Sequence, residues 1–262
     1  MWVGGKVNKV ISALQGVLNN AGVSLTATWR LEQRAAALHI RELFHRYSID
    51  AVLDVGANEG QFHNFLRQEV GYTGWVVSFE PAPAPLSVLR NRVAADPRWR
   101  LVDKALGPQS GAQPLHVAAH STLSSFFPPR FDQTEFAYEG RQIVQTIEVE
   151  VVRLDDLLPG IAAELGFRRP FLKLDTQGYD LAVIQGANDS LSSIAALQIE
   201  LSVVPLYQGT ATYEETIASL NARGFRLSNL FPVAIDADLR LIEFDCVMIR
   251  PELHQFPCAA RR

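Results

Sequence analysis

The sequence predicts an α/β protein: a mostly parallel seven-stranded sheet with helices on both faces and a C-terminal antiparallel hairpin. Three observations carry this prediction. Short β-rich runs alternate with helical patterns from residue 51 onward, which is how a parallel sheet is wound. Several of these runs are apolar almost throughout, as strands covered on both faces require. The end of the chain breaks the alternation, because two β-rich runs follow one another directly.

Taken in order, residues 28–48 are rich in Ala, Leu, Arg and Glu and read as a helix leading into the first strand, AVLDV at 51–55. FHNFLRQEV follows as a helix, then the strand WVVSFE and the helix APLSVLRNRVAAD, then the strand WRLVDKAL. Residues 107–154 interrupt the rhythm. Their segments QPLHVAAH, STLSSFFPPRF and QTIEVEVVRL predict added strands and a loop in place of a helix. The alternation resumes with PFLKLD and DLAVIQGANDSL, then ALQIELS and TYEETIASLNARGF. FRLSNLFPV and LRLIEFDCVMIR then form the hairpin, turning near Asp236 to Asp238. This organisation divides the chain into an N-terminal helical segment, 1–47, and one domain over 48–262 that carries the 107–154 insertion.

The bulk numbers agree with a soluble globular protein. With 48% hydrophobic and 20% charged residues over 262 positions, the chain can bury a sizeable core. A net charge of −4 gives no basic field for nucleic acid, so no nucleic-acid partner is expected. No apolar run approaches the ~20 residues of a membrane span, and the N-terminus lacks the features of a signal peptide. Val7, Val10, Ile11, Leu14 and Leu18 recur at helical spacing, which predicts an amphipathic helix that packs on the domain or on a second subunit of a homodimer. Attachment to a membrane surface is the alternative, which few flanking basic residues support. Cys246 and Cys258 have no metal-ligand spacing, so a reduced, cytoplasmic setting without a disulfide is expected.

The chemistry concentrates at the predicted strand ends. In AVLDVGANEGQF the run closes on Asp54, and Gly56 and Gly60 stand four apart. A dinucleotide site wants G-x-G-x-x-G, but Asn58 and Gln61 occupy its second and third glycine positions. The tight turn survives while the phosphate approach is poorly made. A sulfonium cofactor such as S-adenosylmethionine carries no phosphate and tolerates a nearby carboxylate. Glu80 ends the second strand, where it can accept hydrogen bonds from both ribose hydroxyls, and Asp103 ends the third, near an expected adenine.

Asp175 and Glu200 end two further strands that should be neighbours, about 4.8 Å apart. Close like charges need something positive between them. Mg²⁺ is one candidate, with Asp175 and Glu200 as its ligands. Lys173 is another, pairing with a carboxylate and removing the need for a metal. Methyl transfer to a hydroxyl benefits from a base or from a metal that acidifies it. Asp175 is the first candidate for that base, and His120, in the irregular insertion, is the second.

The ordered set VLDVGANEGQF, GYTGWVVSFEP, DKALG, VVRLDDLL, FLKLDTQGYDLAVIQGA, IELSVVPLYQG and ARGF resembles the FkbM-type methyltransferases over about residues 48–250. The resemblance implies a class I, Rossmann-like methyltransferase fold, S-adenosyl-L-methionine as cofactor, and O-methylation of a sugar, glycoside or polyketide-like hydroxyl. By position it assigns Asp54, the turn Gly56, Ala57 and Asn58, Gly60, Glu80 and Asp103 to the cofactor. Asp175 and Glu200 match acidic strand-end positions that hold metal ligands in more distant macrolide-sugar O-methyltransferases. It also puts Ser124 and Ser125 beside the site and Tyr207 against the acceptor. Phe126, Phe127, Phe131, Phe136 and Tyr138 are candidates for stacking on a sugar face or for packing on the domain. Two other readings stand beside this one: a nicotinamide-dependent oxidoreductase, and a module that binds the cofactor without turnover.

Overall fold

The computed structural model describes residues 31–131 and 140–254. The predicted helix around Val7 to Leu18, and with it Phe136, Tyr138 and Cys258, lies outside them. Helix α1 (Leu31–Tyr47) leads into β1 (Ala51–Val55), a strand buried at all five positions. Helix α2 (Gln61–Phe65) continues as a π-helical turn, Leu66–Val70, into β2 (Trp75–Phe79), α3 (Pro83–Val93) and β3 (Trp99–Val102). The insertion holds β4 (Ala105–Leu106), β5 (Gly111–Ala118) and β6 (Ile143–Val152). Then come α4 (Leu154–Leu165), β7 (Pro170–Leu174), α5 (Asp180–Gln185), β8 (Ala196–Ser202), α6 (Tyr213–Ala222), β9 (Arg226–Ile235) and β10 (Leu241–Ile249).

The main sheet has seven strands in the order β3-β2-β1-β7-β8-β10-β9. Its first five strands run parallel, and β10 is antiparallel to both β8 and β9. This is the predicted parallel core with its closing hairpin. The insertion forms a separate three-stranded sheet, β4-β6-β5.

The sheet buries apolar side chains on both faces. One face packs Leu53, Val77, Leu172 and Ile199 against Leu158, Ile184 and Leu220 of the helices. The other packs Val52, Val76, Phe171, Ala196 and Val247 against Ala37, Ile40 and Phe44 of α1, with Leu66, Leu89 and Trp99. Helix α1 therefore shares the core of the domain. On this second face the apolar pattern stops halfway up the strands. The register sets Ser78, Asp54, Lys173 and Gln198 side by side, and one step further sets Glu200 opposite Asp245. Side chains two apart on a strand share a face, so four parallel strands near their carboxyl ends, and β10 running the other way, present one polar stripe.

Candidate active site

The turn after β1 is shaped by its neighbours in the chain. Gly56 adopts φ 77°, and a Cβ there would lie 2.0 Å from the Asp175 carbonyl oxygen. Gly60 adopts φ 88°, and its Cβ would meet the Trp99 ring at 2.7 Å. Gly56 lets two segments of backbone close on each other, whereas Gly60 makes room for the Trp99 ring. Asn58, at φ 45°, takes the corner of the turn and is itself buried. Its N–H donates to Glu80 Oε2 at 2.9 Å, and the Ala82 N–H donates to Glu80 Oε1 at 2.7 Å. Burial pushes the Glu80 carboxyl up to about 7, against these two donors, which favour its charged form.

A cleft opens above this turn, with Gly56, Ala57, Asn58, Glu80 and Asp175 in its walls. Ala105, Leu106, Leu115 and Phe126 make an apolar side, and Ser121, Thr122, Ser124 and Ser125 a hydroxyl-bearing one. Phe126 also packs on Tyr179, ring centroids 4.6 Å apart, so it serves wall and core together. Phe131 is exposed and away from both clefts described here.

Three residues expected at the cofactor site, and the second candidate base, are placed elsewhere. Asp54 is fully buried beneath the cleft, one residue inside the end of β1. Its Oδ2 accepts from Ser78 Oγ (3.2 Å), which in turn accepts from Trp99 Nε1 (3.0 Å). It supports the floor. Gly60 packs on Trp99 outside the lining. Asp103 turns to solvent and meets Arg90 at 3.4 Å, because β3 ends before it and the chain turns toward β4. His120 is exposed, with its ring against Gly140, so the insertion brings Ser121 and Thr122 to the cleft in its place.

A second cleft adjoins the first, under Gln33 and Ala36 of α1 and beside Phe231 and Val233 of β9. The two share Gln61, Phe62, Lys173 and Asp175. At this junction Lys173 Nζ lies 2.8 Å from Asp175 Oδ2 and 3.9 Å from Asp54 Oδ1. Gln177 Nε2 donates to Asp175 Oδ1 (2.9 Å) and to Glu200 Oε1 (3.0 Å). Burial pulls the Lys173 pKa down, but Asp175 and Asp54 outweigh it and hold the ammonium charged. Glu200 is pushed well above the usual carboxylate range by burial and then by Asp175, Glu243 and Asp245, with Lys173 opposing. Burial also raises Asp245, to about 6.

This arrangement does not suit Mg²⁺. A hard cation needs several free oxygens around one point, yet Asp175 already accepts from an ammonium and an amide, and Glu200 from the same amide. Among the described residues, no three His, Cys, Asp or Glu side chains converge as a metal site. Lys173 supplies the positive charge that the paired carboxylates require.

Several side chains at the junction were missing from the sequence expectations: Gln61, Phe62, Gln177, Phe231 and Asp245. The signal for some was present, since Lys173 and Asp175, Gln198 and Glu200, and Glu243 and Asp245 each alternate with apolar residues. Tyr207, expected to line the acceptor pocket, is instead buried behind it, its hydroxyl 2.8 Å from Gln177 Oε1. No helix among the described residues is long and apolar enough to cross a membrane.

Comparison with known proteins gives this geometry a family. Residues 54–227 match the methyltransferase FkbM domain. The 2-O-methyltransferase NoeI of Sinorhizobium fredii is 27% identical over 199 residues, covering 72% of this chain and 78% of that protein. Among solved structures, methyltransferase FkbM from Methylobacillus flagellatus KT superposes with a TM-score of 0.48 at 16% identity. The match covers 77% of this chain and 43% of that one, so this protein spans less than half the length of that relative. An S-adenosylmethionine-dependent methyltransferase from Aquifex aeolicus gives a TM-score of 0.44 at 12% identity, covering 86% of this chain and 94% of that one. The family match spans well over half of the chain, and it sets aside the oxidoreductase alternative: the protein belongs to the FkbM-domain methyltransferases.

Proposed function

We propose that this methyltransferase uses S-adenosyl-L-methionine to methylate a hydroxyl of a sugar or glycoside, with a polyketide-like alcohol as the alternative acceptor. The observation that carries the reading is that two clefts meet at the Asp175 carboxylate. One suits an adenosyl group and the other a polar ring.

The residues of the first cleft fit the cofactor. Glu80 keeps unused lone pairs after its two backbone bonds and can accept the ribose hydroxyls. Leu106, Leu115 and Phe126 offer an apolar surface for adenine. Among the described residues Lys173 is the sole cation in the lining, and it is committed to carboxylates. Such a wall favours a cationic sulfonium over a pyrophosphate.

When bound, the cofactor supplies an electrophilic methyl group. The protein's part is to place an oxygen in line with it and to take the proton that the oxygen loses. Asp175 borders both clefts, so it would accept the hydrogen bond of the acceptor hydroxyl and take up the proton that the hydroxyl loses. Lys173 and Gln177 fix the orientation of its carboxylate. Phe62, Phe65 and Phe231 offer faces on which an apolar sugar face can lie, with Gln33, Gln61 and Gln198 as hydroxyl partners.

The test is calorimetric titration with S-adenosylhomocysteine, followed by a glycoside screen with radiolabelled methyl donor. Micromolar binding and label transfer are expected, and Glu80→Ala should weaken binding at least tenfold. A protein that binds no S-adenosylhomocysteine ends the proposal.

A further inference from the structure

We infer that Gln177 is a positioning residue for methyl transfer: its side-chain amide couples the Asp175 and Glu200 carboxylates and sets how they meet the acceptor hydroxyl. This rests on the function proposed above.

The geometry is specific. Gln177 Nε2 has two hydrogens, and two carboxylates take them, Asp175 Oδ1 at 2.9 Å and Glu200 Oε1 at 3.0 Å. These acids belong to the ends of neighbouring strands, so one amide ties β7 to β8 at the mouth of the site. The other end of the amide faces the Tyr207 hydroxyl, 2.8 Å from Oε1, with Leu123 O as that hydroxyl's second neighbour at 2.9 Å. Burial keeps the phenol protonated, so it acts as a donor. An inverted amide would turn its oxygen on two carboxylates and its N–H groups on a phenol. The orientation is therefore determined by its partners.

The backbone is held as tightly. Gln177 adopts φ 53°, which a residue with a Cβ seldom does. The buried Ser125 hydroxyl donates to its carbonyl at 2.8 Å. Ser125 comes from the insertion and Tyr207 from the loop after β8, so three loops converge on one residue. Strained backbone that its surroundings over-determine concentrates at functional sites.

The coupling is asymmetric. Asp175 accepts from the Lys173 ammonium as well as from the amide. Glu200 has the amide, and it faces Asp175 on β7 and Glu243 and Asp245 on β10, with Lys173 as the nearby cation. Removing the amide takes away a donor that favours the charged form of Glu200, so its titration moves further up. It also frees the Asp175 carboxylate to rotate away from the hydroxyl.

The experiment compares the full chain with Gln177→Ala and with the isosteric Gln177→Glu, which keeps the backbone demand at this position. S-adenosylhomocysteine titration comes first. Affinity within about threefold in all three proteins is expected, because the amide lies outside the first cleft. Wild type that does not bind refutes the parent function; loss of binding in the variants alone refutes a positioning role. Carboxyl ¹³C titration, with Glu200→Gln for assignment, needs no acceptor. The Glu200 midpoint should rise by about one pH unit in Gln177→Ala, and an unmoved midpoint overturns the inference. With a turned-over glycoside, Gln177→Ala should lose about a hundredfold in kcat at every pH, with little change in KM. Gln177→Glu should recover turnover only at acid pH, where its protonated carboxyl can donate. A Gln177→Glu profile that follows wild type across pH refutes the role even if Gln177→Ala fails to fold.

Discussion

Lys173 Nζ sits 2.8 Å from Asp175 Oδ2, in the place where paired strand-end carboxylates would otherwise call for a divalent cation. An ammonium anchored by a buried strand cannot be removed by a chelator. Methyl transfer should therefore persist in millimolar chelator and gain nothing from added Mg²⁺. Turnover that chelator abolishes and Mg²⁺ restores would show that the carboxylates can let go of Lys173 and Gln177.

The same lysine balances Asp54, which has no water to turn to. Lys173→Met should cost about 3–5 kcal/mol of stability at neutral pH, because it leaves buried carboxylate charge uncompensated. Part of the loss should return as pH falls, since a protonated Asp54 no longer needs the ammonium. Denaturant unfolding of the two proteins at pH 7 and pH 5 measures both effects, and an equal deficit at the two values would refute the account.

Stability should also depend on pH through the buried acids. Burial raises Glu80 to about 7 and Asp180 and Asp245 to about 6. The folded state thus holds their protons more tightly than the unfolded chain does. Their contribution is fully present below the unfolded values and is lost as pH rises through about 4 to 7. His39 and His63, lowered by burial, act in the opposite sense below about 6.5. For Asp96, burial works upward, but Arg67 and His63 hold it down to about 2, so its contribution disappears only as pH falls below about 4. The melting temperature should peak near pH 5. Glu80→Gln should flatten the decline between about pH 5 and 7, and an unchanged slope there would contradict the burial assigned to that carboxyl.

Why was the fold legible while half the site was not? Runs such as AVLDV and PFLKL are short, β-rich and buried at every position, so composition alone marks central strands. Strand ends followed in the same way, and Glu80 and Asp175 do reach the cleft. The errors came from reading each acid at a strand end as facing the ligand. Asp54 lies one residue inside its strand, where the pleat turns it onto the buried face beside Ser78 and Lys173. Asp103 lies one residue past its strand and turns outward. Glu80 and Asp175 also lie one residue past their strands yet reach the cleft, so the path of the loop that follows, and not the count along the chain, separates wall from surface. Gln177 and Phe231 depend on loop conformation and on a distant hairpin, for which no local pattern exists.

Gly56 is where two of these strands touch. With the Asp175 carbonyl 2.0 Å from any added Cβ, Gly56→Ala must part β1 from β7 or abandon φ 77°. The expected loss is about 3 kcal/mol or more, seen as a lower unfolding midpoint. Because the displaced backbone carries Asp175, turnover should fall even at temperatures where the variant stays folded. Wild-type activity in a folded Gly56→Ala protein would dissociate this turn from the proposed role of Asp175.

The charge of the second cleft should select among acceptors. Asp175, Glu200 and Asp245 line it, and among the described residues Lys173, already paired, is the one cation facing them. An acceptor that brings a carboxylate or phosphate into this space meets uncompensated negative charge in a partly desolvated setting, where each close repulsion is worth about 1–4 kcal/mol. A neutral methyl glycoside should thus be favoured over the matching uronic acid by at least about tenfold in kcat/KM. The preference should narrow when Asp245→Asn removes one of the charges. Phe231→Ala separates this effect from ring stacking: it should raise KM about five- to tenfold for every acceptor alike, leaving the neutral-to-anionic ratio and S-adenosylhomocysteine affinity unchanged. If the uronic acid is methylated as well as the neutral glycoside, the acceptor does not enter between these carboxylates, and the second cleft loses its assignment.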